Sequence, residues 1–252
     1  MTSSTRRGLG LAAGLVLGWL GSWAVLLPTT LSRLSPVVVV VAVLLRTLLQ
    51  TGLFIVAHDA MHGSLWPQRP GANRPIGQLA LLLYAALPYG RCQRNHGLHH
   101  RHAGTARDPD HHLEGQPGLW RWYGRFMAAY LTSGQLTVLA LCWLALAALA
   151  WPVSASPVAN VALYGVLPTL LSSAQLFLVG TFLPHRTSST DRGCGSLASP
   201  ECARHEPRSL NWPVWLSLLS CYHFGYHREH HAHPHLAWHE LPAVRRQPAS
   251  RV

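Results

Sequence analysis

The chain has 252 residues, enough for one domain or one membrane module. Hydrophobic residues make up 49% and charged residues only 12%, about half the share usual in a soluble domain, so long apolar segments must be present. The net charge of +11 comes entirely from arginine, for there is no lysine, and the arginines fall between apolar segments instead of forming the patch or helix stripe of a nucleic-acid binder. Nine carboxylates stand against 17 histidines, so any metal centre must be built mostly from imidazole, and a di-iron site of Glu and Glu-x-x-His pairs cannot easily be assembled. The five cysteines show no C-x-x-C spacing and read as reduced thiols; a zinc held by Cys194, Cys202 and His205 would follow no established spacing.

In chain order, residues 8–28 form an apolar run long enough to span a bilayer, preceded by Arg6 and Arg7. A cleaved signal is the competing reading, with a hint of a twin-arginine motif. No small-residue cleavage site follows, and a second run begins at once, which favours a retained helix. That second run, 36–57, opens on Pro36, suited to a first helical turn. Arg46 in its middle is costly in lipid, and with Thr47, Gln50 and Thr51 it marks an interior face. The run ends in His58-Asp59-Ala60-Met61-His62, whose two histidines share a helix face.

Residues 76–90 are apolar but too short for a comfortable span, which predicts an in-plane or re-entrant helix stopped at Pro88. His96, His99 and His100 follow at i, i+3, i+4, then Asp108-Pro109-Asp110-His111-His112 in a Gly/Pro-rich loop. Trp120, Trp122, Tyr123 and Tyr130, with Arg121 and Arg125, read as an interfacial belt leading into a third span at 130–151. A fourth span at 158–184 carries Ser172, Ser173 and Gln175 on its inner face and delivers His185. Residues 186–212 read as loop, 213–221 as a helix too short to span, and the chain after Pro242 (243–252) as a disordered tail behind a single module over 1–242.

The densest stretch is 221–239, with seven histidines. His227, His230 and His231 form a second i, i+3, i+4 triplet, and Pro234 prevents His235 and His239 from sharing its face. His223 shares it only if the helix begins early. His102, His111, His112, His205, His233, His235 and His239 are read as loop or hydrogen-bonding residues, and Glu229 points away from the triplet. Arg6 and Arg7 place the N-terminus in the cytoplasm; four crossings then put every histidine box on the cytoplasmic side, with eight arginines in 63–129. Nine imidazoles, His58, His62, His96, His99, His100, His185, His227, His230 and His231, suit two metals better than one.

The segments 58–63, 96–100 and 227–231 resemble the histidine boxes of the membrane fatty acid desaturase/hydroxylase superfamily. More narrowly, Leu81–Tyr89, Asp108-Pro-Asp110, Leu-Ser-Ser-Ala-Gln-Leu-Phe at 171–177, Gly-Thr-Phe-Leu-Pro-His at 180–185 and Cys-Tyr-His-Phe-Gly-Tyr-His-Arg-Glu-His-His-Ala-His-Pro-His at 221–235 resemble the bacterial β-carotene ketolases. Trp238-His239 departs from the Trp-Trp more usual there. The resemblance implies an all-α integral membrane fold, desaturase-like, with four transmembrane helices, short in-plane helices and a cytoplasmic histidine-rich di-iron cap. It implies oxidation of carbon 4 of β-ionone rings, with two Fe2+ ions held by the nine histidines, O2, and electrons from ferredoxin through a reductase. Asp59, Asp108 and Asp110 are then candidates for orienting ring N–H groups, the aspartate pair also suiting a simple turn around Pro109. Carotenoid and membrane lipid are the implied partners, with no nucleic acid, in the bacterial inner membrane. The rival readings are a β-carotene hydroxylase or another lipid hydroxylase or desaturase, and a histidine-rich metal transporter, which would place ligands at the bilayer midplane.

Overall fold

In a computed structural model of the protein, which describes residues 1–111, 118–186 and 207–246, all regular structure is helical. The helices are α1 (Ser3–Leu26), α2 (Pro36–His62), α3 (Pro70–Ala85), α4 (Tyr89–His102), α5 (Leu119–Tyr130), α6 (Ser133–Ala150), α7 (Pro157–His185), α8 (Val214–Cys221), α9 (His227–Ala232) and α10 (Leu241–Arg245). Among the described residues, α1, α2, α6 and α7 are long and apolar enough to cross a membrane. The apolar side chains they expose, such as Val37, Val41, Leu44 and Leu45 on α2 and Leu141 and Leu144 on α6, suit lipid and would not be tolerated as a patch in water. The protein is a membrane protein.

The chain divides into two compact units, Met1–Tyr89 with Thr132–Ala174, and Gly90–Leu131 with Gln175–Val252. In the first unit α1, α2 and α6 each start on a sequence-encoded cap. The hydroxyls of Thr2, Ser35 and Thr132 accept from Thr5, Val38 and Gln135 backbone N–H groups. Helix α2 runs five residues past its expected end, through both box histidines, and stops at Gly63 in the left-handed conformation (φ 72°). Arg46 is on the inner face as its cost in lipid demands, 1% exposed. It donates to Tyr164 O (2.7 Å), Trp19 O (3.0 Å) and Ser22 Oγ (2.8 Å), and its guanidinium lies 4.3 Å from the ring centre of Trp23. Thr51 and Ser172 hydroxyls pair at 2.8 Å, placing the polar stripes of α2 and α7 together. Trp23, Val43, Ala147, Val161 and Tyr164 form the apolar core beside them.

Several boundaries differ from the expectation. Helix α1 begins five residues early because Thr2 caps it, and α3 begins at Pro70, recruiting a polar first turn that apolar periodicity does not reveal. The expected span at 130–151 starts instead at Ser133, after a break between α5 and α6. Helix α7 contains two π segments, Ala162–Val166 and Phe177–Phe182, neither signalled by composition. Helix α10 orders residues 243–245, read from sequence as the start of a tail; 247–252 lie outside the described residues, as do His112, Cys194, Cys202 and His205.

In the second unit the end of α7 is packed by aromatics. Phe177 meets Trp122, Tyr123, Phe126 and Phe182 at ring-centre distances of 5.2–6.0 Å. Gly180 abuts Phe224: a Cβ there would stand 2.5 Å from Phe224 Cδ1, closer than atoms can approach. Between α8 and α9 the backbone reverses through Tyr222 and His223, both at positive φ (48° and 63°), with Phe224 N–H donating to Cys221 O and Tyr226 N–H to His223 O, each at 2.8 Å. This reversal sets the start of the second histidine triplet.

Candidate metal centre

Helix α4 carries His96, His99 and His100 on one face, α9 carries His227, His230 and His231, and α7 ends on His185. The structure brings these seven into two nests within the second unit. In one, ligand atoms of His99, His185, His227 and His231 all lie within 4.8 Å of one another. His185 Nε2 is 2.8 Å from His227 Nε2, and His231 Nε2 is 3.1 Å from the Nε2 atoms of both His99 and His227. In the other, His100 Nε2 is 3.1 Å from His96 Nε2 and 2.9 Å from His230 Nε2. The nests adjoin through the stacked rings of His100 and His231, centres 4.2 Å apart.

These separations test the fit of a metal. A neutral imidazole nitrogen holds one proton or one lone pair, so His231 Nε2 cannot satisfy two neighbouring Nε2 atoms by ordinary hydrogen bonds. Nitrogens at about 2.1 Å from a metal sit about 3.0 Å apart along an octahedral edge and about 3.4 Å apart along a tetrahedral one. The observed 2.8–3.1 Å is close to the separations between ligands of a single metal ion. Seven nitrogens of one type converging in two sets fit two divalent metals.

The carboxylates around His99 orient it. Asp108 lies 3.0 and 3.1 Å from His99 Nδ1 and is itself fixed by the N–H groups of Gly104 (3.0 Å) and Asp110 (2.9 Å). An Nδ1–H donated to Asp108 leaves the Nε2 lone pair in the nest. Burial works against charge on His99, but the Asp108 hydrogen bond and the Asp110 and Asp108 charges outweigh it and raise its pKa. Burial likewise opposes ionisation of Asp108, and His99 with the two backbone N–H groups reverses this, so its pKa is lowered. Asp110 is 3.9 Å from His99 Nδ1; burial lifts its carboxyl to about 6, although Tyr130 O–H donates to it at 2.7 Å. In the same nest as His99, burial first and then the neighbouring imidazoles hold His227 well below the ordinary histidine range, which keeps it neutral and able to ligate.

His58 is buried and His62 half-buried at the end of α2 in the first unit, ring centres 4.8 Å apart, with Asp59 Oδ1 3.6 Å from His58 Nδ1. His223 is not on the triplet face, because α9 starts at His227; it sits in the left-handed reversal, stacked on Tyr226 at 5.5 Å, and burial lowers its pKa to about 4. His102, His111, His233, His235 and His239 belong to neither nest. Glu229 points off the triplet face as expected, accepting from Ser209 Oγ and from Arg245 Nη1 (2.8 Å). Trp122 and Tyr130 are corrections: both are buried, not interfacial, with Trp122 Nε1 donating to Asp110 O and Tyr130 O–H to Asp110 Oδ1, each at 2.7 Å. Sequence reasoning missed this Trp122–Asp110–Tyr130 support and the Gly180–Phe224 contact. Only the short spacings 108–110 and 221–227, dense in conformationally special residues, hinted at them.

A helical membrane protein with clustered histidine nests has the side chains of a histidine-box metal site. The chain belongs to the fatty acid desaturase family, whose model matches residues 34–250. It is 40% identical to a β-carotene ketolase of Paracoccus sp. (strain PC1), over 97% of this chain and 95% of that one. A second β-carotene ketolase, of Paracoccus sp. (strain N81106 / MBIC 01143), is 39% identical over 96% of this chain and 93% of the relative. A zeaxanthin 4-ketolase of Chlamydomonas reinhardtii is 39% identical over 78% of this chain and 42% of the relative. The protein is an oxidative membrane enzyme of this family.

Proposed function

We propose that the protein is a carotenoid 4-ketolase, converting carbon 4 of β-ionone rings to a ketone, so that β-carotene becomes echinenone and then canthaxanthin. The observation that carries the reading is the convergence of seven Nε2 atoms in two nests, in a chain similar to ketolases along nearly its whole length. Zeaxanthin, named for one relative, is a second substrate of the same chemistry and would give astaxanthin.

His99, His185, His227 and His231 would hold one iron. His96, His100 and His230 would hold part of the shell of the other, and three ligands are fewer than a metal of this type takes. His58 and His62, on their shared helix face at the end of α2, are further metal ligands in the same reading. Bound iron supplies the oxidising chemistry that removes hydrogen from an allylic carbon. Each hydroxylation consumes one O2, two electrons and two protons and releases one water; two at the same carbon give a geminal diol, which loses water to the ketone. Asp108 fixes His99 with its lone pair inward, and Asp110, anchored by Tyr130 and Trp122, fixes the loop that presents Asp108. Asp59 serves His58 in the same sense. A small reduced iron–sulfur protein of the ferredoxin type, with its reductase, supplies the electrons. Eight arginines between 63 and 129 support a cytoplasmic site in a bacterial inner membrane, where such a donor is found. A C40 polyene is met only in lipid, which suits four apolar spans.

The test is pigment analysis of cells that make β-carotene and express the chain. Echinenone and canthaxanthin are expected. Zeaxanthin as the product, or unaltered β-carotene with folded, iron-loaded protein present, would overturn the reading.

A further inference from the structure

Helix α4 has two unlike faces. One carries His96, His99 and His100 into the nests. The other carries Arg94 and Arg101, seven residues and two turns apart, both exposed. Each arginine lies back over a glycine one turn earlier: Arg94 Nη1 is 3.8 Å from where a Cβ on Gly90 would stand, and Arg101 Nη1 is 3.7 Å from the same point on Gly97. The repeat Gly-x-x-x-Arg therefore makes a low surface, two guanidinium groups over bare backbone, with no side chain rising beside them at the glycines. Among the described residues of this unit the exposed charges are of one sign. Among the described residues of this unit nine arginines are exposed, Arg107, Arg121, Arg125 and Arg228 among them. None of the described carboxylates there is free: Asp108 and Asp110 are buried at His99, Glu229 is paired with Arg245, and Glu240 accepts from Ala237 N–H.

The geometry points to the outer face of α4, centred on Arg94 and Arg101, as the docking surface for an acidic one-electron carrier protein. This rests on the oxygenase reading above, whose balance demands two electrons for each hydroxylation and hence two deliveries by such a carrier. Charge complementarity selects an acidic partner and steers its approach. Reach selects this face: a carrier seated on it is separated from the ligating histidines by a single helix, about 10–12 Å across with its side chains, a length over which electron tunnelling is fast. Because His99 and His100 stand on the same two turns as Arg101, the surface and the ligands are one rigid piece.

The experiment uses the purified, iron-loaded full chain in nanodiscs of zwitterionic phosphatidylcholine, with β-carotene, and a plant-type [2Fe–2S] ferredoxin with its reductase as donor. The charge-reversed variant R94E/R101E is compared with the wild type and with R94K/R101K. The expected result is a KM for ferredoxin raised about tenfold in R94E/R101E, with a flatter dependence on salt, and restored near wild type in R94K/R101K. Ketone formation driven by reduced methyl viologen, a small donor that needs no docking, stays at the wild-type level, as does iron content. An unchanged ferredoxin KM and salt dependence overturns the docking surface. Loss of the viologen-driven rate or of iron in both variants overturns it too, since the arginines would then support the nests. A difference seen only in nanodiscs containing phosphatidylglycerol would reassign the face to lipid headgroups and also overturn it. Failure of the ketolase reading is separate: the wild type would then form no ketone with viologen.

Discussion

Gly180→Ala tests whether packing behind the histidines sets the metal site. The new Cβ would stand 2.5 Å from Phe224 Cδ1 and 2.9 Å from Cε1, against the roughly 3.5–4.0 Å at which carbon atoms rest. The ring would have to retreat by about 1 Å. It has no slack on the far side, for its centre is 6.0 Å from that of His227 and 5.8 Å from that of His230, both buried. The backbone holding it is tied by the Phe224-to-Cys221 and Tyr226-to-His223 hydrogen bonds. Overpacking of this kind costs about 1–3 kcal/mol. If that cost falls on the metal-bound arrangement, iron affinity drops by about 5- to 150-fold. Iron retained by purified protein against buffered Fe2+ measures it, with thermal unfolding as control, and the double variant G180A/F224L, which removes bulk from the ring, should recover much of the loss. Wild-type iron affinity in G180A would refute the reasoning, and so would a loss that F224L does not relieve.

Other expectations follow from the same contacts. Asp108→Asn should lower iron affinity about 10- to 100-fold, because its carboxylate alone is within hydrogen-bond distance of His99 Nδ1; Asp110→Asn, whose oxygen is 3.9 Å away, should cost less, and iron titration of both variants orders them. Arg46→Leu removes three hydrogen bonds from a buried guanidinium and should cost about 2–5 kcal/mol, read as a fall in Tm in detergent, and Lys should not rescue it because it lacks the fork that reaches three partners. His235→Ala, exposed beyond Pro234 and in neither nest, should leave iron content and ketone yield within about twofold of wild type.

The parts legible in the sequence were those with a period or a cost. Arg46 in an apolar run had to face protein, and it does, because bare charge in lipid is too expensive. Both i, i+3, i+4 triplets converge because helical periodicity places three rings on one side, and Pro234 ends α9 as its missing N–H requires. His185 joins the four-histidine nest although a single histidine has no period. Its position follows from the π segment before it, which shifts register by backbone hydrogen bonding that composition does not encode. Trp122 misled for a related reason. Its neighbours Trp120, Arg121 and Arg125 are exposed, and nothing local says that Trp122 and Tyr130 turn inward to Asp110. The left-handed pair Tyr222 and His223 was invisible too, since neither is glycine, and it removed His223 from the face it would have shared on a longer helix.

The most direct test of two histidine nests acting as one oxidising site is metal analysis of the purified wild-type protein, paired with its product from β-carotene, O2 and a reduced donor. About two irons per chain, the number that nine imidazoles suit, together with canthaxanthin, is the predicted result. A single zinc per chain, or two irons with no oxygen at carbon 4, would contradict the account.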